Sequence, residues 1–226
     1  SFEGVIKTKG ELYDFLRKKE NSTIFIHHDN PYLMNIASGL NKIFYGSEEN
    51  LYINGRVTGN SPYLTFEWKA GKDGEKHEVQ TQLIGEYNFP NALAAITIGT
   101  FFGVEADKIN EALSNYTPQN NRSQLKKTAD NTLIIDAYNA NPTSMMAALE
   151  NFNRMKVKHK MLILGDMREL GAESAAEHQK IVDFIKECEF EKVILVGNQF
   201  TAARHSYQTY ANTQELIQAL QNNTPK

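Results

Sequence analysis

The sequence predicts an α/β fold in two units, and three patterns carry that expectation. Beyond about residue 123, short β-branched strands alternate with helices long enough to cross back over a sheet, as in right-handed βαβ units on a parallel sheet. Between residues 51 and 83 the texture is that of an antiparallel hairpin. Ahead of it, an amphipathic helix and a short apolar strand open the chain. In order, Ile6, Leu12, Tyr13 and Leu16 fall near helical spacing and predict a helix over 5–19. Thr23-Ile24-Phe25-Ile26 predicts a buried strand, and a helix is expected over 31–40. Strands over 63–68 and 77–81 are joined through Gly71-Lys72-Asp73-Gly74, residues that tolerate positive φ. Helices follow over 89–102 and 106–113. Strands over 132–135, 161–164 and 193–196 then alternate with helices over 142–155, 175–188 and 214–220. The boundary between the units is placed near Arg122, giving 1–122 and 123–226.

Composition narrows the function classes. With 41% hydrophobic residues and a net charge of −3, the chain can bury a core and is no disordered segment. An isoelectric point near 6.1 gives no general electrostatic footprint for nucleic acid, so no nucleic-acid partner is expected. No apolar run reaches the length of a membrane span. The lone cysteine, Cys188, excludes an intrachain disulfide framework and a cysteine-based zinc cluster, which fits a cytoplasmic protein.

Several residues can carry chemistry. Asp136 follows a predicted strand, at the end where open α/β sheets bind ligands, and a carboxylate there accepts hydrogen bonds from two sugar hydroxyls. Just beyond it, Asn141 before Pro142 reads as a helix N-cap with proline in the first turn. Asn88 and Asn91 share a face at a helix start, and their amides offer the donor and acceptor that the adenine edge requires; capping is the competing reading of Asn88. Lys7 and Lys9 on the first helix are ordinarily a solvated face, as Arg122 is ordinarily a surface arginine. Asp166, Arg168 and Glu169 follow another strand. His27 and His28 lack a third zinc-spaced ligand and read as strand-end residues; Trp68 reads as core or sheet surface, and Cys188 as a small buried hydrophobe.

The stretch Asp136-Ala137-Tyr138-Asn139-Ala140-Asn141-Pro142-Thr143-Ser144-Met145 carries a family resemblance. With Leu164-Gly165-Asp166-Met167-Arg168-Glu169-Leu170-Gly171 and Asn88-Phe89-Pro90-Asn91-Ala92-Leu93-Ala94-Ala95, it resembles the Mur ligases over nearly the whole chain. Within that family it is similar to the branch that joins D-alanyl-D-alanine to a UDP-N-acetylmuramoyl-tripeptide. The resemblance implies the distal part of a central ATP-binding domain over 1–122 and a Rossmann-like parallel C-terminal ligase domain, lacking its last strands, over 123–226. It implies ATP and Mg²⁺ as cofactors, with Asn88 and Asn91 on adenine, Asp136 on ribose, and Tyr138 and Asn139 also on the nucleotide. Arg122 would face the phosphates. Lys9 falls where the family carries a carbamylated lysine, a carbamate that holds Mg²⁺, with Lys7 as the alternative. Asn141, Ser144, Asp166, Arg168 and Glu169 fall to the substrate side. Two positions depart from the family pattern: Gly85-Glu86-Tyr87 stands where a Gly-x-His is common, and Asn121-Arg122 where a Gly-Arg is common.

The implied reaction phosphorylates the tripeptide carboxylate and lets the amine of D-alanyl-D-alanine displace phosphate. No G-x-x-x-x-G-K-[ST] occurs in these 226 residues. The phosphate loop and the UDP-sugar domain are therefore expected upstream of Ser1, and the chain is expected to be a piece that is inert alone and binds ATP only weakly. The competing readings are another Mur or folylpolyglutamate-synthetase-like ligase, and a non-catalytic nucleotide-binding domain.

Overall fold

The computed structural model describes residues 2–119 and 121–222. Its contacts divide the chain into two compact units, Ser1–Thr117 and Pro118–Lys226. The first runs α1 (Phe2–Arg17), β1 (Thr23–His27), α2 (Pro31–Ile36), β2 (Asn41–Gly46), β3 (Ile53–Asn60), β4 (Tyr63–Ala70), β5 (His77–Ile84), α3 (Phe89–Phe101) and α4 (Ala106–Asn115). Its five strands form one mixed sheet in chain order. β1, β2 and β3 pair in parallel, whereas β3, β4 and β5 pair antiparallel. The hairpin expected from the sequence is β4 and β5. The sequence pattern does not predict β2 or β3; in β3, Ile-Asn-Gly-Arg-Val-Thr-Gly-Asn has the glycines and asparagines of a loop. The helix expected over 31–40 stops at Ile36: the Ala37 N–H turns back to Met34 O, and Gly39 takes φ +78° into β2.

Alternation along β4 points Leu64, Phe66 and Trp68 into the core, where they meet Leu93 and Ile96 of α3 and Ile109 of α4. The Trp68 indole N–H donates to Asn110 Oδ1 at 2.9 Å, satisfying the ring's polar atom at the α4 contact. A smaller cluster packs Tyr13 and Leu16 of α1 and Leu33 of α2 against Ile24 and Ile26 of β1.

The second unit runs β6 (Gln124–Lys127), β7 (Thr132–Ile135), α5 (Pro142–Arg154), β8 (Met161–Gly165), α6 (Ser174–Lys186), β9 (Lys192–Val196), α7 (Asn198–Ala202), β10 (Gln208–Tyr210) and α8 (Thr213–Asn222). A parallel sheet forms in the order β10-β9-β8. Central β9, Lys-Val-Ile-Leu-Val, is buried on both faces. Val193 and Leu195 meet Leu149, Ile181, Ile185 and Phe200, while Ile194 and Val196 meet Leu216 of α8. The structure corrects one expectation here. β7 is not a strand of the parallel sheet; it pairs antiparallel with β6, a short polar strand that the sequence pattern hides. Cys188 is also only half-buried, in the turn beyond α6, where its thiol donates to Phe184 O at 3.2 Å and burial pushes it up from its ordinary range.

Leu93 is fully buried where α3 crosses the sheet. Leu93→Ala is expected to lower unfolding free energy by about 2–5 kcal/mol in a urea titration. A loss under about 1 kcal/mol would contradict this packing.

Candidate functional site

The corner where β6 enters and β7 leaves brings together three of the residues singled out from the sequence. Register pairs Gln124 with Ile135, so Ser123 and Asp136 follow as opposed neighbours just past the ladder. The Ala137 N–H donates to Asn121 O at 2.8 Å, closing the corner. Ser123 is buried, and its Oγ–H donates to Asp136 Oδ2 at 3.4 Å. The Arg122 guanidinium lies 3.9 Å from the centroid of the exposed Tyr138 ring, a cation–π stack. Asn121 and Ser123 both hold left-handed backbone, φ +52° and +49°. Asparagine tolerates that region better than most residues, which accounts physically for Asn121 where a glycine is common. For serine it costs about 1–3 kcal/mol, so the surrounding contacts must hold it. Asp136 keeps an exposed edge, yet crowding by the chain raises its carboxyl above the ordinary aspartate range. The Ser123 N–H and hydroxyl and the Arg122 charge oppose that rise without cancelling it.

In the first unit, Gly85 takes φ +92°, and a Cβ there would stand 2.2 Å from the Tyr87 ring, so the turn before α3 requires glycine. Asn88 occupies the N-cap position of α3, but its side chain makes no capping bond. It turns back instead, donating through Nδ2 to Ile84 O at 2.8 Å, and the Asn91 amide reaches its Oδ1 at 3.4 Å. The two amides therefore form one pair, with Asn91 exposed. Lys9 is exposed on α1. The pair His27 and His28 sits beside Asp29, with the His27 ring stacked on Tyr45. Among the described residues, no group of three or more His, Cys, Asp or Glu is placed to hold a metal ion.

Asp166 is occupied differently from Asp136. Its two carboxylate oxygens accept the N–H groups of Gln199 and Phe200, both at 3.0 Å, at the start of α7. Gly197, at φ +121°, permits the approach, because a Cβ there would collide with that carboxylate at 2.2 Å. Fully buried His178 supports the same loop. Its Nε2 accepts the Met167 N–H at 3.0 Å and its Nδ1 stands 2.7 Å from Ser174 O, which fixes the neutral ring with its proton on Nδ1. Arg168 and Glu169 are exposed beyond Asp166, Glu169 with φ +64°. Asn141 and Ser144 form a capping box at the start of α5: the Ser144 N–H donates to Asn141 Oδ1 at 2.9 Å, and the Asn141 N–H to Ser144 Oγ at 3.3 Å. Asn139 is exposed between this cap and the Asp136 corner. Sequence reasoning misses Ser123 and His178, since each acts on a residue distant in the chain. At the opposite end of the sheet from Asp166, a groove of about 610 Å³ is lined by Lys160, Cys188, Phe190 and Glu191.

These environments separate the two aspartates by experiment. Asp166→Ala should lower stability by about 1–3 kcal/mol in a chemical melt, because two helix-start N–H groups lose their acceptor. At Asp136 the raised carboxyl works in the other direction. Its contribution to stability is full below the ordinary aspartate range and is lost as pH rises through the folded-state midpoint. Asp136→Asn should therefore leave the melting temperature at pH 7 unchanged or higher and flatten its fall between acid and neutral pH. A marked drop at pH 7 would contradict the geometry.

Residues 1–99 match the family described as Mur ligase middle domain, and residues 121–225 the one described as Mur ligase, glutamate ligase domain. The UDP-N-acetylmuramoyl-tripeptide--D-alanyl-D-alanine ligase of Bacillus subtilis (strain 168) is 30% identical over 239 aligned positions, covering 100% of this chain and 50% of that protein. The chain thus spans about half the length of that curated relative. A crystal structure of MurF from Acinetobacter baumannii superposes with a TM-score of 0.81 at 23% identity, over 100% of this chain and 51% of the other. MurF ligase from Thermotoga maritima, in complex with ADP, gives 0.80 at 18% identity, over 100% and 52%. These likenesses show the fold; the two domain matches, which together span most of the chain, establish that it belongs to the Mur ligase family.

Proposed function

We propose that this chain serves an ATP-dependent amide ligase that adds D-alanyl-D-alanine to a UDP-N-acetylmuramoyl-tripeptide, in peptidoglycan precursor synthesis in the bacterial cytoplasm. The observation that carries the reading is the Asp136 corner: a carboxylate at a strand end beside a stacked arginine, within a chain whose full length matches half of the named ligase. No helix is long and apolar enough to cross a membrane among the described residues.

ATP would supply the phosphoryl group that activates the tripeptide carboxylate, which the dipeptide amine then attacks with loss of phosphate. The groups present fit such a nucleotide. In the second unit Asp136 offers an acceptor for ribose hydroxyls and Arg122 a forked cation for phosphate oxygens. In the first unit, taken by itself, the Asn88–Asn91 pair offers an amide edge of the kind that adenine hydrogen-bonds. ADP in the Thermotoga maritima relative supports this choice of ligand. Tyr138 acts by holding the guanidinium, and Asn139 stands outside the cap that engages Asn141 and Ser144, so it can meet the nucleotide. Mg²⁺ fits this chain only in part: Lys9, as a carbamate, would give oxygen ligands, and the described residues gather no further metal-binding group. On the substrate side, Arg168 and Glu169 offer opposite charges to the carboxylate and ammonium of a dipeptide. Asp166 contributes by fixing the loop that presents them, and Asn141 and Ser144 by fixing the start of α5.

Two measurements test this in the protein that carries this chain. Asp136→Ala should weaken ATP by about 1–3 kcal/mol in calorimetry while UDP-sugar binding is kept; unchanged ATP affinity in a folded variant refutes the role. Lys9→Ala should abolish ligation, with part of the activity returned by short-chain carboxylates. Full activity without them removes Lys9 from the mechanism.

A further inference from the structure

The β6–β7 ladder does not end where its strands end. Beyond the Gln124–Ile135 pair, the Ala137 N–H reaches back to Asn121 O at 2.8 Å, so residues 121–123 and 136–137 form a closed clamp. Inside it Ser123 is 4% exposed, although serine is ordinarily a surface residue. It adopts φ +49°, a conformation for which serine has no preference and which the ladder alone does not require. That conformation aims two donors at one acceptor. The Ser123 Oγ–H reaches Asp136 Oδ2 at 3.4 Å, and the Ser123 N–H donates to the same carboxylate.

We propose that Ser123 is the positioning residue for Asp136: by anchoring Oδ2 it sets the plane of the carboxylate, so that a vicinal diol meets acceptors in a fixed orientation. This rests on the reading of Asp136 as the ribose acceptor. An unanchored aspartate rotates about its terminal torsion, which is broad, and two hydroxyls of a sugar would have to select one orientation from many. Anchoring also favours the ionised carboxylate, the form that accepts from two hydroxyl donors, against the crowding around it. Among the described residues Arg122 is the charged side chain that acts on Asp136, and its guanidinium is held on Tyr138, so Ser123 supplies the direct hydrogen bonds.

Ser123→Gly isolates the hydroxyl, since glycine accepts the left-handed backbone and keeps the N–H; Ser123→Ala removes the same hydroxyl while leaving the backbone strained. In the 226-residue chain, the Asp136 side-chain carboxyl is titrated by carbon-13 NMR, and ATP is titrated into the millimolar range. The expected result is an upward move of the Asp136 midpoint in both variants and an affinity for ATP about threefold to tenfold weaker. A purely structural serine would change stability and leave the Asp136 midpoint where it was; that outcome in folded Ser123→Gly overturns the proposal. If the midpoint moves while neither Ser123→Gly nor Asp136→Asn alters ATP binding, the anchoring of the carboxylate stands and the nucleotide reading of Asp136 falls.

Discussion

A carboxylate held at the end of a strand, partly desolvated and only partly compensated, is the constraint on which the Asp136 corner depends. Crowding raises the carboxyl, and Ser123 and Arg122 do not fully restore it. A fold selected for stability alone has little reason to keep such a group, because a neutral residue of similar shape removes the penalty. Around it the chain accepts backbone strain as well: two residues in left-handed backbone within three positions. Strain of this kind persists where surrounding contacts over-determine it, and it is concentrated at binding sites.

Asp166 makes the comparison within the same unit. It too stands just past a strand, yet its two oxygens are taken by helix-start N–H groups, glycine at 197 makes room for it, and buried His178 holds the adjoining backbone. One strand end thus closes on itself with both carboxylate oxygens matched, while the other keeps a carboxylate exposed at its edge. The difference lies in the segment beyond each strand. After β8 the chain passes to a loop that α6 and α7 can anchor; after β7 it passes along an open corner that pairs with the start of β6.

Much of this arrangement is legible in the sequence. β-Branched strands alternating with helices announce the parallel sheet of the second unit, the hairpin announces β4 and β5, and Asn141 before Pro142 announces the cap of α5. Position after a strand marks both aspartates, but it cannot say which is consumed by the fold, since the partners of Asp166 lie more than thirty residues downstream. β6 escapes because Gln-Leu-Lys-Lys has no alternation strong enough to separate it from a loop, and β3 because its glycines mimic a turn. With β6 unseen, the pattern puts β7 in the wrong sheet. The Arg122–Tyr138 stack and the Ser123 anchor depend on that pairing, so they cannot be read before it. Asn88 illustrates the reverse error in local reasoning: cap preference favours its backbone position, while its side chain bonds to Ile84 and pairs with Asn91.

On the proposed function, the corner of Arg122, Ser123, Asp136 and Tyr138 receives a nucleotide. A crystal structure with a non-hydrolysable ATP analogue tests it most directly. The expected result is ribose hydroxyls donating to the Asp136 carboxylate, Ser123 still bonded to Oδ2, and the Arg122 guanidinium, resting on Tyr138, facing phosphate oxygens. An analogue bound with full occupancy and no contact to Asp136 would contradict it.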